Sequence, residues 1–378
     1  MADWRYLAYR LNGDGTETLL DPELPLQGVQ LTDVVSGPAG LSARIEPAAA
    51  RLLGPDGNPI IQRYSTAIYA ENDNQIVSGT IVTDTARTGS ELGITGTGFA
   101  GFPKNEPYDG DTNFVQTDPL DIYRHVWAWL QGRPRRNLGV TLGSTKVGRL
   151  IGTVLTQVEF DSAAGPVSFE AGPVKLNWWD VDDLGDFLDK LATEQDFDYV
   201  EKHTWSGEFV SHRIEFGVPR IGKRRDDLRF VVGENVLVQP SENFASGSYA
   251  SEVIVRGAGE GRTMIRGFAS RTGEGRLGRT VIVEDKSLKS VTAANLRARK
   301  ELAMRSGNAE ISDIVVKEMS DHLYPRLGAW QEGDDIELFG EGEWGSESAW
   351  YRVLSTTITP NDLSAARLAV VRADMIPA

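Results

Sequence analysis

The chain has 378 residues, 40% apolar and 25% charged, and carries a formal net charge of −15 from 39 basic and 54 acidic side chains. That length exceeds one ordinary core and implies two or three domains of globular composition. Cysteine is absent, which excludes disulfides, thiolate metal sites and thiol nucleophiles, and the acidic balance argues against a protein that binds DNA by neutralising phosphates. No apolar run approaches the ~18 residues of a membrane span, and Met1 to Arg5 lacks the basic-then-apolar layout of a signal peptide. Synthesis and folding in a cytoplasm are expected.

Trp4 to Leu11 reads as a strand ended by the turn Asn12-Gly13-Asp14-Gly15. Pro22, Pro25, Pro38, Pro47, Pro55 and Pro59 then punctuate short apolar runs and exclude long helices. Residues 60–71 and 75–84 form a strand pair across Asn72-Asp73-Asn74, residue types that tolerate positive φ. Residues 93–101 add a glycine-spaced strand, so 1–117 reads as an N-terminal β-barrel-like domain.

At Asp118-Pro119 the pattern changes. Asp can cap a helix and Pro suits its first position; Leu120, Tyr123, Trp127 and Leu130 form a stripe widened by Ile122, Val126 and Trp129, and Gln131-Gly132 with Pro134 stops it. Residues 133–177 read as a long irregular excursion with short strands. Asp180 then offers a cap to a second helix, with Val181, Leu184, Phe187, Leu188, Leu191 and Ala192 on one stripe. Phe197 and Tyr199 switch the period to two, Ser206-Gly207 supplies a turn, and Val210, His212, Ile214 and Phe216 alternate with polar residues. The stripe is expected to pack on this ribbon, making 118–235 a mixed helix and β-ribbon segment. Residues 236–378 read as a second barrel-like β-domain. Its strands fall near 251–257, 280–284, 311–318, 335–339, 351–358 and 366–372. Its one helix, 290–306, carries Val291, Ala294, Ala298 and Leu302 on one face and ends at Gly307.

Few constellations carry chemistry. Gly257-Ala258-Gly259-Glu260-Gly261 follows a strand, but the next residues, 263–268, read as another strand, so a hairpin turn accounts for it better than a phosphate loop. Asp109, Asp111 and Asn113 match the opening of a calcium loop, yet its glycine and terminal glutamate positions hold Phe114 and Leu120. A looser cation site there is the alternative to a polar loop. His125, His203, His212 and His322 are scattered and read as structural. The pairs Asp182/Asp183, Asp226/Asp227 and Asp334/Asp335 point apart and suit solvation or capping rather than glycoside hydrolysis. Arg133, Arg135, Arg136 and Lys223, Arg224, Arg225 could meet an acidic partner or be solvated loops. Nine tryptophans, including Trp178, Trp179, Trp205, Trp330, Trp344 and Trp350, suit core and interface roles, with carbohydrate stacking as the alternative. No catalytic, cofactor-binding or metal-binding residue is assigned.

The order of parts resembles the tail-hub family: the minor tail proteins of long-tailed, siphovirus-like phages, related to the central hubs of contractile baseplates and secretion spikes. The residues that carry the likeness are Asp118-Pro119-Leu120-Asp121-Ile122-Tyr123 with Trp127, the unit from Leu184 to Phe216, Val253 to Gly257, the helix from Ala293 to Leu302, and Glu332 to Leu338 followed by Tyr351-Arg352-Val353. The resemblance implies a β-rich α+β fold, with two barrel-like domains flanking the mixed segment. It further implies a homotrimeric ring of six pseudo-equivalent barrels at the virion tail tip, seated between the distal tail protein and the tip proteins. The ring would surround the channel for the tape measure protein and DNA. It implies no cofactor, no catalytic residue and no sequence-specific nucleic-acid binding, and with Ala378 following soon after the second β-rich half, no appended lytic domain is expected. The channel face is expected to concentrate the carboxylates, with the arginines of 133–136 and 223–225 kept away from it for neighbouring proteins. The competing readings are a tail-associated cell-wall hydrolase and a carbohydrate- or receptor-binding tail module.

Overall fold

The computed structural model describes residues 4–50, 52–88, 91–162, 165–238, 249–271, 277–286, 288, 290–306, 312–319, 324–342, 345–360 and 365–373. Gly307, Ile311, His322 and Trp344 lie outside them. β1 (Trp4–Leu11) and β2 (Glu17–Asp21) make the first hairpin, followed by β3 (Gln27–Val34), β4 (Gly40–Ile45), the single turn α1 (Pro47–Ala50), β5 (Thr66–Asn72), β6 (Gln75–Thr88) and β7 (Glu91–Gly98). Asp73 and Asn74 adopt φ of 50° and 61° in the β5–β6 turn, the left-handed conformation that Asn and Asp tolerate. The strand foreseen at 60–71 begins only at Thr66. Its first residues are held as a loop instead, because the Thr66 hydroxyl donates to the Ile60 carbonyl and Arg10 reaches the Pro59 carbonyl.

The middle of the chain supplies β8 (Asp111–Phe114), α2 (Pro119–Gln131), β9 (Val140–Leu142), β10 (Thr156–Ser162), β11 (Gly165–Ala171), β12 (Val174–Asn177), α3 (Leu184–Gln195), β13 (Asp198–Ser206) and β14 (Phe209–Gly217). Asp118 caps α2 by accepting from the Leu120 amide, and its other oxygen accepts from Gly148, tying the excursion back to the helix start. The excursion does hold short strands: β9 lies parallel on β14, and β12 pairs with β8. Asp183, not Asp180, caps α3, accepting from the Asp186 amide. The physical reason is a turn at Asn177, whose carbonyl takes both the Asp180 and Val181 amides and delays the helix. Leu184, Leu188, Leu191 and Ala192 share one core with Tyr199, Ile214 and Phe216 of the ribbon, as the periodicity requires. The same core holds Leu7, Tyr9 and Phe99 from the N-terminal strands and Trp127 from α2.

The remaining elements are β15 (Phe230–Val231), β16 (Val236–Val238), β17 (Glu252–Arg256), β18 (Arg266–Ser270), β19 (Thr280–Glu284), α4 (Val291–Ser306), β20 (Ser312–Lys317), β21 (Asp335–Gly342), β22 (Gly345–Ile358) and β23 (Ala365–Arg372). β17, β18 and β19 form a sheet of their own under α4, where Val253 and Val255 meet Ala294 and Ala298. The glycine-rich 257–261 is the β17–β18 hairpin connection. Thirteen strands drawn from both halves of the chain join one large, mainly antiparallel sheet, with no closed barrel among the described residues. Its main path runs β16-β20-β23-β22-β3-β4-β7-β6-β5-β1-β2. The join is β3 on β22, Leu31 opposite Ile358 through Val34 opposite Ser355, which welds the start of the chain to its end.

Candidate functional site

Three segments remote in sequence meet beside that join: the end of β3, the strand β13, and the loop before β21. Asp198 at the start of β13 is the knot. Its oxygens accept from the Ser36 hydroxyl, the Ile221 amide and the Arg352 guanidinium, while Ser36 and Tyr199 exchange further hydrogen bonds. Alternation along β13 then turns Tyr199, Glu201 and His203 to one face, opposite Phe216, Ile214 and His212 of β14.

On that face lies a buried polar chain. Glu17 accepts from the Tyr69 hydroxyl at 2.6 Å and sits 3.2 Å from His212 Nε2. His212 and His203 meet through their Nδ1 atoms at 2.9 Å, and Phe99 stacks on His212 with ring centroids 4.4 Å apart. Assigning protons from this network, His212 Nε2–H donates to Glu17, so its Nδ1 is the acceptor and His203 Nδ1–H the donor. His203 Nε2 is then a bare lone pair, and it has no hydrogen-bond partner among the described residues. Glu201 Oε2 stands 4.0 Å from it. Glu201 itself accepts from the Ala39 amide at 2.6 Å and the Ala100 amide at 2.8 Å. Burial pushes its carboxyl up to about 7 despite those amides, and burial, then neighbouring His212, holds His203 well below the ordinary histidine value.

A cavity of about 510 Å³ opens against Glu201 and His203, lined also by Asp33, Asn72, Trp330 and Glu332. Burial first, then the charges of Glu332 and Glu201, raises Asp33 well above the usual carboxylate range. Glu332 is raised by burial as well.

The four histidines read as scattered in the sequence, and the structure joins two of them. A signal existed: a turn centred just after Ser206 pairs Ser206 with Phe209, and that register places His203 opposite His212. The approach of Asp33 and Glu332 had no such signal, since both arrive through long-range packing. Among the other candidates, Asp111 and Asn113 are strand residues of β8 and Asp109 pairs with Arg133, so they build no calcium loop. The basic runs, foreseen as available to partners, are largely engaged within the chain. Arg133 also stacks on Trp129, Arg136 pairs with Glu106, Arg224 stacks on Trp350 at 3.7 Å, and Arg225 bonds Asp227 and Asp334. The fold brings an acid or an indole within reach of each of these four arginines. Trp178 and Trp179 are 60% and 54% exposed.

No protein-family model matches the sequence, and no curated protein matches it either. Solved structures do. The 43 kDa tail protein of prophage MuSo2 from Shewanella oneidensis superposes over 99% of this chain and 100% of its own, with a TM-score of 0.62 and 14% identity. This chain has the fold of a phage tail protein. A tail protein from Neisseria meningitidis MC58 matches over 98% of both chains at a TM-score of 0.53 and 14% identity. Prophage tail protein gp18 from Listeria monocytogenes EGD-e matches over 97% of this chain and 94% of its own, at 0.54 and 9% identity. The likeness read from the motifs between Asp118 and Val353 is borne out as a likeness of fold.

Proposed function

We propose that the chain is a structural protein of a phage tail, the hub at the tail tip. The observation that carries this reading is the near end-to-end match to the MuSo2 tail protein. A virion tail location and a non-enzymatic role accord with these tail-protein neighbours. In the proposed hub, residues 1–117 and 236–378 act as two barrel-like modules flanking 118–235. Three copies then make a ring that joins the distal tail protein to the tip proteins around the passage for tape measure and DNA. Continuity of the sheet through β3 and β22 supports a rigid subunit able to hold such a ring. A specific ring contact buries on the order of 1,000 Å² or more.

Immunogold labelling of intact particles with antibody to this chain tests the location: label at the tail tip supports the hub, and label on the head or along the tube contradicts it. A peptidoglycan-release assay on purified protein tests the non-enzymatic role, and turnover abolished by one carboxylate substitution would overturn it. The exposed Trp178 and Trp179 favour a second reading, a carbohydrate-binding surface on the same tail protein. Glycan-array binding lost on Trp178→Ala would support it.

A further inference from the structure

We propose that the cavity at the junction of β3, β13 and the loop before β21 is a binding site for an organic cation bearing N–H donors, an ammonium or a guanidinium. The inference rests on the chemistry of the lining and stands apart from the tail reading.

Asp33, Glu201 and Glu332 bring carboxylates to the wall. Two further lining groups are buried acceptors with no partner among the described residues: Asn72 Oδ1 and His203 Nε2, the ring nitrogen turned away from His212. The His203 side chain is only 4% exposed, so the bare nitrogen lacks access to bulk water. A buried acceptor left unmade is costly, and a wall dominated by acceptors is matched by a ligand made of donors. The cations of this chain that line the cavity are already engaged: Lys202 bonds Gln331 at 2.6 Å and pairs with Glu215 at 3.4 Å, and Arg326 pairs with Asp73 at 3.6 Å. Asp73 and Arg326, with side chains 66% and 69% exposed, mark the mouth.

A metal ion fits poorly, because no group of three or more acidic or histidine side chains among the described residues is close enough to ligate one. A ligand with several spread donors fits better. The volume of about 510 Å³ falls in the range of about 300–1,000 Å³ typical of small-ligand sites. Because burial favours the protonated carboxyls, a bound cation would draw them toward the ionised form and release protons.

Isothermal titration of the full chain with agmatine at pH 6.5, in two buffers of different ionisation enthalpy, tests the proposal. Saturable binding with proton release is expected, no binding of tetramethylammonium, which has the charge without N–H donors, and at least about tenfold weaker binding by the Asp33→Asn/Glu332→Gln variant. Asn72→Ala, which removes one orphan acceptor and no charge, provides a second variant whose affinity should also fall. No saturable binding, equal binding of tetramethylammonium, or unchanged affinity in both variants would overturn it. Binding of N-acetyl-arginine amide alongside agmatine would assign the site to a side chain of a neighbouring protein. Binding of agmatine alone would assign it to a free amine.

Discussion

Asp334 and Asp227 share one guanidinium, that of Arg225, and differ in burial: their side chains are 0% and 63% exposed. Asp334 also accepts from the Lys223 amide at 2.9 Å and the Gln331 amide at 3.1 Å. It thereby fixes a point of close backbone approach, where a Cβ on Gly222 would lie 2.0 Å from the Gly333 carbonyl oxygen. Asp334→Ala leaves two backbone donors without their acceptor and deprives Arg225, whose side chain is only 12% exposed, of its one buried carboxylate, leaving it Asp227 and the Ala329 carbonyl. Removing one partner of a buried pair costs roughly 3–5 kcal/mol, and each buried donor left unmade about 1–3 kcal/mol. Some of that is recovered as the loop relaxes toward water, so the expected loss is about 3–5 kcal/mol in all. Asp227→Ala removes an exposed partner of the same arginine and should barely change stability. Urea denaturation of both variants at pH 7, with unchanged m-values, reads the difference directly. An Asp334→Ala variant as stable as Asp227→Ala would refute the claim that this carboxylate anchors the 222–225 and 331–335 segments.

Leu188 is 2% exposed in the core shared by α3 and the ribbon, so Leu188→Ala should lower stability by roughly 2–5 kcal/mol; an unchanged thermal melt would sink the packing claim. Asp33→Asn should stabilise the protein at pH 8 and have little effect at pH 4. The raised carboxyl of Asp33 contributes stability below the ordinary carboxylate value and loses it as pH rises through the folded one. Glu201, moved from 4.5 to about 7, acts in the same direction over that interval. His203, held low, acts oppositely below its ordinary 6.5; comparing variant with wild type at each pH by denaturant titration removes the His203 contribution and reads Asp33 together with its repulsion by Glu332 and Glu201. Gly267→Val should destabilise by at least roughly 1–3 kcal/mol and expose α4 to limited proteolysis, since even a Cβ at 267 meets the Ala294 backbone carbonyl at 2.2 Å.

Local patterns carried much of the fold. The stripe at Leu184, Leu188 and Leu191, the cap at Asp118, the turn at Asp73-Asn74 and the alternation from Val210 to Phe216 all express the short-range periods of helix and strand. The cap of α3 was misplaced because Asp180 and Asp183 are equally able to cap, and only the Asn177 turn decides between them. The joining of β3 to β22 was not legible, for its partners stand more than three hundred residues apart and neither strand names the other. The candidate site divides the same way. His203 and His212 follow from hairpin register, whereas Asp33 and Glu332 reach Glu201 only through that distant pairing. The engagement of Arg224 and Arg225 with Trp350 and Asp334 likewise depends on contacts made across the fold.

A map of the assembled tail at side-chain resolution tests the hub proposal most directly. Three copies of this chain in a ring at the tail tip are expected, with the β3–β22 sheet continuous in each copy and carboxylates rather than arginines facing the passage, where they repel DNA over about 8–10 Å at physiological salt. A ring of other symmetry, a basic passage wall, or absence of the chain from the tail would contradict it.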